Sequence, residues 1–374
     1  MSNKNFFSEQ KDGTAVKIKF YEDYIEGYLI KVLMHFGECI IADLFCGPGK
    51  NGEKDGSPLT LINKAKQILE NKIILARHPE PKIIIIFNDY DKSNIEKLNI
   101  ELSRITIPAG IKILKPQSNK FSDIVKIISE IKTPIPKFFF LDPFTYSDIQ
   151  PSDLKQLMEL KFSEIMMFLP TFLAYRFKTS KKNPPKLISF LENFTEKGVY
   201  DYSDIYDFVY SIQSKLRFEL KLKFVQHALI DVGKNKNSLF LLTKNIKGAI
   251  LFNNIFLRET FNGMALEVSK IKFKEKQPSL PLISKMPTND FRDCIYFFKK
   301  NLMAELSKKK EMFNTEIIEF AVMEGCKPKH ADELLRELKK DGKIKLEYVD
   351  QTKTKGFYVS EGKCDEKLCK IIYL

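Results

Sequence analysis

The stretch Cys39-Ile-Ile-Ala-Asp-Leu-Phe-Cys-Gly-Pro-Gly49 decides how the rest of the chain is read. It is an apolar run of strand length that stops at an aspartate and then turns through two glycines. A run apolar on both faces suits an interior strand of a parallel sheet, which helices cover on both sides. At the carboxyl edge of such a sheet a nucleotide-like ligand needs close approach of the backbone, and glycine has no Cβ to obstruct it. Asp43 is then placed to accept from a ligand amine, with Phe45, Gly47 and Gly49 along the loop beside it. A plain turn would use two glycines as well, so the neighbouring strands carry the decision.

Upstream, residues 15–36 place Phe20, Tyr24, Tyr28 and Val32 at near-helical spacing. Downstream, a polar loop over 50–56 leads to Ser57-Pro58, which reads as an N-cap and a first-turn proline for a helix over 59–72. Strand and helix patterns then alternate: a strand over 82–89, a helix to Ser103, a strand over 110–114 and a helix over 122–131. A strand over 137–142, a helix over 152–160 and a strand over 164–169 complete the series. That rhythm predicts an α/β fold, a Rossmann-type sheet spanning residues 1–275. Residues 171–221 interrupt it as a helical insertion. Apolar runs over 223–232 and 238–243, joined by 233–237, predict two terminal strands, one antiparallel to the rest.

Three prolines between 276 and 288 mark a linker, after which 289–374 read as a winged-helix-like domain. Helices over 315–324 and 329–340 flank a turn at 326–328. A wing pairs 343–349 with 356–360 across a tip, 350–355, that carries two lysines. The helix over 329–340 alternates basic with acidic residues, so DNA and protein both stand as its partner.

A second acidic strand end, Phe87-Asn-Asp-Tyr-Asp91, strengthens the ligand reading. Asp89 falls at the tip of its strand, where a carboxylate can take both ribose hydroxyls, while Asp91 suits the N-cap of the next helix. Two ordinary caps are the alternative. A dinucleotide fingerprint would run GxGxxG directly into a helix; here Gly49 runs into a polar loop, which favours S-adenosylmethionine (SAM) over NAD. Between the third and fourth strands Asn119 is placed to accept from the adenine amine.

Asp142-Pro-Phe-Thr-Tyr146 closes the fourth strand and resembles the D/N-P-P-Y/F motif of methyltransferases that act on exocyclic base amines. The resemblance implies that Asp142 orients the acceptor nitrogen and that Phe144 or Tyr146 stacks on the base. Phe144 stands where the second proline would be, and an Asp-Pro turn beside core aromatics is the competing reading. Asp43–Gly49, DLFCGPG, likewise resembles the SAM motif of class I methyltransferases. Taken in order with GSPL at Gly56–Leu59, LDPF at Leu141–Phe144 and SLFLLTKNIKGAILFNNI at Ser238–Ile255, it is similar to the three-Cys-motif partner protein family (TcmP). That resemblance implies a SAM-dependent methyltransferase fold working beside a separate radical-SAM-like protein.

The net charge of +13 suits attraction to nucleic-acid phosphates, although an A/T-rich codon composition would also enrich lysine. Six scattered cysteines form no CxxC pair, so neither a disulfide framework nor a zinc site is expected. No stretch is long and apolar enough for a membrane span, and the polar N-terminus has no signal core, so the expected location is the cytoplasm. The expected function is SAM-dependent methyl transfer to a nucleic acid or a nucleic-acid-associated substrate. An inactive SAM-binding partner subunit and a DNA-binding regulator are the rivals.

Overall fold

The computed structural model describes residues 12–145, 148–178, 185–195, 202, 204–232, 235–261, 266–267, 291–352 and 356–374. Helix α1 (Asp12–Phe36) precedes strand β1 (Glu38–Asp43), and the polar loop after it folds as a small hairpin of β2 (Lys50–Asn51) and β3 (Lys54–Asp55). There follow α2 (Ser57–Leu69), α3 (Lys72–Arg77), β4 (Lys82–Phe87), α4 (Lys92–Ser103), β5 (Ile111–Ile113), α5 (Phe121–Ser129) and β6 (Lys137–Leu141). The series closes with α6 (Pro151–Glu159), β7 (Ser163–Leu169), three helices α7 (Thr171–Phe177), α8 (Pro185–Phe194) and α9 (Ile205–Glu219), and the strands β8 (Phe224–Val232) and β9 (Asn235–Thr243).

These strands form one sheet in the order β8-β9-β7-β6-β1-β4-β5, bordered at β8 by a two-residue strand β10 (Leu266–Glu267). The five strands from β5 to β7 are parallel, and β9 enters antiparallel to β7 and to β8. Strand order therefore reverses between β1 and β6, the switch point at which a Rossmann-like sheet leaves a crevice outside its carboxyl ends. The arrangement is a Rossmann-like sheet, and the terminal antiparallel pair is the one the hairpin pattern predicts.

Both faces of the sheet are covered, which explains why its strands do not alternate. On one face Ile40, Ala42, Phe139 and Leu141 pack with Phe121, Ile124 and Val125 of α5 and Leu154 and Leu157 of α6. On the other, α1 lays an aromatic row on β6, with Tyr21 4.2 Å from Phe140 and Tyr24 5.6 Å from Phe138 between ring centres. The Tyr24 hydroxyl continues to Glu164, donating to its carboxylate at 2.7 Å, and the Thr243 hydroxyl donates to the same carboxylate at 3.0 Å. Burial pushes the pKa of Glu164 up to about 7, against those two donors. One fully enclosed acid thus ties α1, β7 and β9 together.

Two sequence expectations are corrected in detail. Gly56, not Ser57, is the N-cap of α2, so Ser57 lies inside the first turn. The C-terminal hairpin also takes a different second strand. Beyond α10 (Ile246–Phe261) the chain forms α11 (Phe291–Lys309), β11 (Glu311–Phe313), α12 (Asn314–Met323), α13 (Pro328–Lys340), β12 (Ile344–Tyr348) and β13 (Cys369–Tyr373). The antiparallel order is β11-β13-β12, so β12 pairs with 369–373 rather than with 356–360. The cause is Asn314, a fully buried side chain that holds the intervening segment as a loop. Its amide donates to the carbonyls of Tyr358, Lys363 and Glu366 and accepts from the N–H groups of Leu368 and Cys369. Tyr358 itself has φ +54°, a left-handed conformation that a strand does not use.

The described chain separates into two compact units, residues 1–244 with 259–266, and residues 245–258 with 267–374. In the second unit Asn253 of α10 donates to the carbonyls of Val322 and Cys326 at 3.0 and 3.2 Å, and Lys247 pairs with Asp365 at 2.6 Å. The expected linker 276–288 and the wing-tip lysines Lys353 and Lys355 lie outside the described residues. Among the described helices none is long and apolar enough to cross a membrane.

Candidate functional site

A cavity of about 760 Å³ lies in the first unit, at the carboxyl ends of β1, β4 and β6. Its floor is the glycine loop. Gly47 has φ +64° and Gly49 φ +87°, conformations in which an L side chain is strained, and the loop closes where the N–H of Gly56 donates to the carbonyl of Gly49 at 2.8 Å. A Cβ on Gly56 would stand 2.9 Å from that carbonyl oxygen, so the closure itself requires glycine. Phe45 lines the cavity with its ring 5.1 Å from that of Phe121. Cys46 is buried, and burial raises its thiol pKa well above the ordinary value, so it packs rather than reacts.

Asp89 also lines the cavity, and its carboxylate is the keystone of the loop. One oxygen accepts from the N–H of Gly47 at 2.8 Å; the other accepts from the N–H of Asp91 at 2.8 Å and from the Asn94 amide at 3.1 Å. Partial burial raises its pKa in spite of these donors. Asp91 is the N-cap of α4, accepting from the N–H of Ser93, as its position after β4 predicts. Tyr90 lines the cavity next to Asp89 with 69% of its surface exposed, while Phe121 on the lining is largely buried against Phe45.

Asp43 differs from all of these. It is fully buried under the loop, and neither of its carboxylate oxygens has a hydrogen-bond partner. Burial pushes its pKa up to about 7. The Ser57 hydroxyl and the Phe45 N–H pull the other way from positions short of hydrogen-bonding geometry, and the charges of Asp142 and Asp89 add to the rise. An unpartnered buried acid is costly; Asp43 itself has no exposed surface and does not line the cavity, which Phe45, Cys46 and Gly47 of the loop above it do.

Asn119 is not brought to the cavity. Its backbone is held by the buried side chain of Asn88, whose amide donates to the Asn119 carbonyl at 3.1 Å while its carbonyl accepts from the Asn119 N–H at 3.0 Å. Lys120, Phe121 and Ser122 line the wall instead. The segment thus reaches the site through the residues that follow Asn119. The signal missed was Asn88, which follows an apolar strand directly and bridges two strand ends.

At the other end of the cavity stand Asp142, Pro143 and Phe144, the last half exposed; Tyr146 lies outside the described residues. Asp142 is paired with Lys17 of α1, whose ammonium also sits 4.6 Å from the centre of the Phe168 ring. Neither Lys17 nor Phe168 carries a motif, and only the folding of α1 over β6 and β7 reveals them as site residues. Among the described residues no group of three or more His, Cys, Asp or Glu side chains could hold a metal ion.

No protein-family model matches the sequence, and no curated protein matches it. Solved structures of methyltransferases do resemble the fold. The O-methyltransferase TomG from Streptomyces achromogenes, in complex with SAM, is 11% identical, with 63% of this chain and 90% of that one covered at a TM-score of 0.34. The methyltransferase domain of bacterial CtHen1 is 14% identical, covering 60% and 99% at 0.30. The SAH-bound methyltransferase PaMTH1 of Podospora anserina is 8% identical, covering 57% and 75% at 0.29. These likenesses are distant both in sequence and in superposition.

Proposed function

We propose that the chain is a cytoplasmic SAM-dependent methyltransferase whose acceptor is a nucleic acid or a nucleic-acid-associated molecule. The observation that carries the cofactor is Asp43, a buried carboxylate without a partner beneath a glycine loop at the switch point of the sheet. Bound SAM would supply an activated methyl group. Asp43 would receive the cofactor's ammonium, and Asp89 would receive a ribose hydroxyl at the one acceptor site its three loop contacts leave over. Tyr90 would flank the base. Asp142 would orient the acceptor, and since the transfer is an in-line displacement, positioning is most of what the protein contributes. The net charge of +13 supports a polyanionic partner.

The helix and strand order of the second unit, with its three-stranded antiparallel sheet, supports the winged-helix reading. The ordered motifs from Asp43 to Ile255 support membership of the TcmP family, and with it a three-Cys-motif radical-SAM-like protein as partner. One observation favours the second reading, an inactive SAM-binding subunit: the carboxylate of Asp142 is already engaged by Lys17.

Titration calorimetry with SAM and with SAH tests the cofactor. The wild type binds both, and Asp89→Asn, which keeps the shape and removes the charge, weakens them by about ten- to a hundredfold, the worth of a charged hydrogen bond. A folded wild type that takes up neither ligand overturns the proposal.

A further inference from the structure

Lys17 and Asp142 are 125 residues apart in sequence and meet in the cavity wall with side-chain exposures of only 13% and 24%. Asp142 follows β6 and Phe168 lies near the end of β7, the parallel neighbour in which Leu141 is paired with Met167. The pairing puts a carboxylate and an aromatic face side by side at the sheet's carboxyl edge. An ammonium is held between them. A carboxylate with a ring within about 6 Å is the ordinary way in which proteins hold an alkylammonium. Here the occupant belongs to the protein itself.

We propose that this Asp142–Phe168 pair is an alkylamine subsite, that Lys17 is its internal occupant, and that the methyl acceptor is a lysine side chain of a basic protein that displaces Lys17. The inference rests on the methyltransferase reading and narrows its acceptor to the nucleic-acid-associated class. Local charge supports the choice. Five aspartates line the cavity, Asp89, Asp91, Asp142, Asp148 and Asp153, against the three lysines Lys17, Lys120 and Lys186, on a chain of net charge +13. At the cavity this local excess of acids favours a cationic side chain over a phosphate, whatever the net charge attracts elsewhere on the chain.

The chemistry balances at the acceptor nitrogen. The entering ammonium releases one proton to solvent, while the carboxylate of Asp142 holds the nitrogen in place by accepting from an N–H it keeps. The freed lone pair then forms the N–C bond as the methyl carbon's bond to sulfur breaks, its electron pair remaining on sulfur. Lys17 competes for the subsite and so keeps it closed to weak ligands.

The test begins without cofactor. Binding of n-butylammonium chloride is followed by calorimetry and by saturation-transfer NMR in wild type, Lys17→Ala and Lys17→Ala/Asp142→Asn, each checked for an unchanged circular-dichroism spectrum. Lys17→Ala should bind at least tenfold more tightly than wild type, and the double variant should lose that gain. No gain in Lys17→Ala, or a gain that survives Asp142→Asn, overturns the subsite. A second arm supplies SAM carrying a labelled methyl group together with a lysine-rich peptide, DNA and RNA. Label in the peptide is expected, while label in nucleic acid alone overturns the acceptor assignment. If SAM itself does not bind, the methyltransferase reading fails, and the ammonium result is judged on its own.

Discussion

Asp43 and Glu164 are both carboxylates enclosed in the same sheet, and burial brings both to a pKa of about 7. They sit at opposite ends of their strands and in opposite states. Glu164, near the start of β7, is fully served by Tyr24 and Thr243, so its burial is spent on tethering α1 and β9. Asp43, at the tip of β1, has only the Ser57 hydroxyl and the Phe45 N–H near it, neither in hydrogen-bonding geometry, and lies under a loop that lines a cavity. Similar burial with unequal satisfaction separates the two acids, and the proposed cofactor role of Asp43 rests on that difference. An enzyme can tolerate one such group at a functional site, where strain and specificity coincide.

The comparison can be broken most directly at Glu164. Glu164→Ala leaves two buried hydroxyls without their acceptor and should cost about 3 kcal/mol of unfolding free energy. Urea denaturation followed by fluorescence measures it, and affinity for SAH in the folded fraction should stay within about twofold, the scale of a site the mutation does not touch. Asp43→Asn should invert that pattern. Affinity for SAM and SAH falls by about ten- to a hundredfold, because the cofactor's ammonium loses its counter-charge, while apo stability holds or rises since an unpaired charge has been removed from the interior. A destabilised Asp43→Asn with unaltered affinity would make the two acids alike and end the contrast.

The smallest effect is on pH. Both folded-state pKa values lie above those of the unfolded chain, so the native state holds more protons between about pH 4 and 7 and its stability falls as pH rises through that window. Ligand affinity runs the other way, because only ionised Asp43 attracts the ammonium. It should drop about fivefold between pH 7 and pH 6, as expected for one group of pKa near 7. Asp43→Asn should flatten the affinity profile and remove only part of the stability slope, leaving the share due to Glu164. Calorimetry and thermal melts over pH 5–8 in matched salt provide both curves.

Much of the sheet was legible because burial on both faces leaves a mark in sequence. The runs before Asp43, at Ile83–Phe87 and at Phe138–Leu141 are continuous and apolar, and β1, β4 and β6 fall on them, β4 and β6 stopping short of the expected 89 and 142. Asp91 was legible as a cap because capping is local chemistry. The loop around Asn119 was less legible for the complementary reason: which of its residues lines the cavity depends on how Asn88 grips it, and this pairing spans 31 residues. The second strand of the C-terminal hairpin was misplaced likewise, since Asn314 acts on segments 44 to 55 residues away.

The sequence by itself determined the parallel α/β sheet, the glycine loop at its carboxyl edge and the acids at three strand ends, because strand burial, tight turns and caps are set by neighbouring residues. Only the tertiary structure decided that Asp89 fastens the glycine loop, that Asp43 is left without a partner while Glu164 has two, and that Lys17 fills the place beside Asp142 and Phe168. Those outcomes depend on side chains from distant segments meeting in a medium of low polarity, where the presence or absence of one partner is worth more than any local preference.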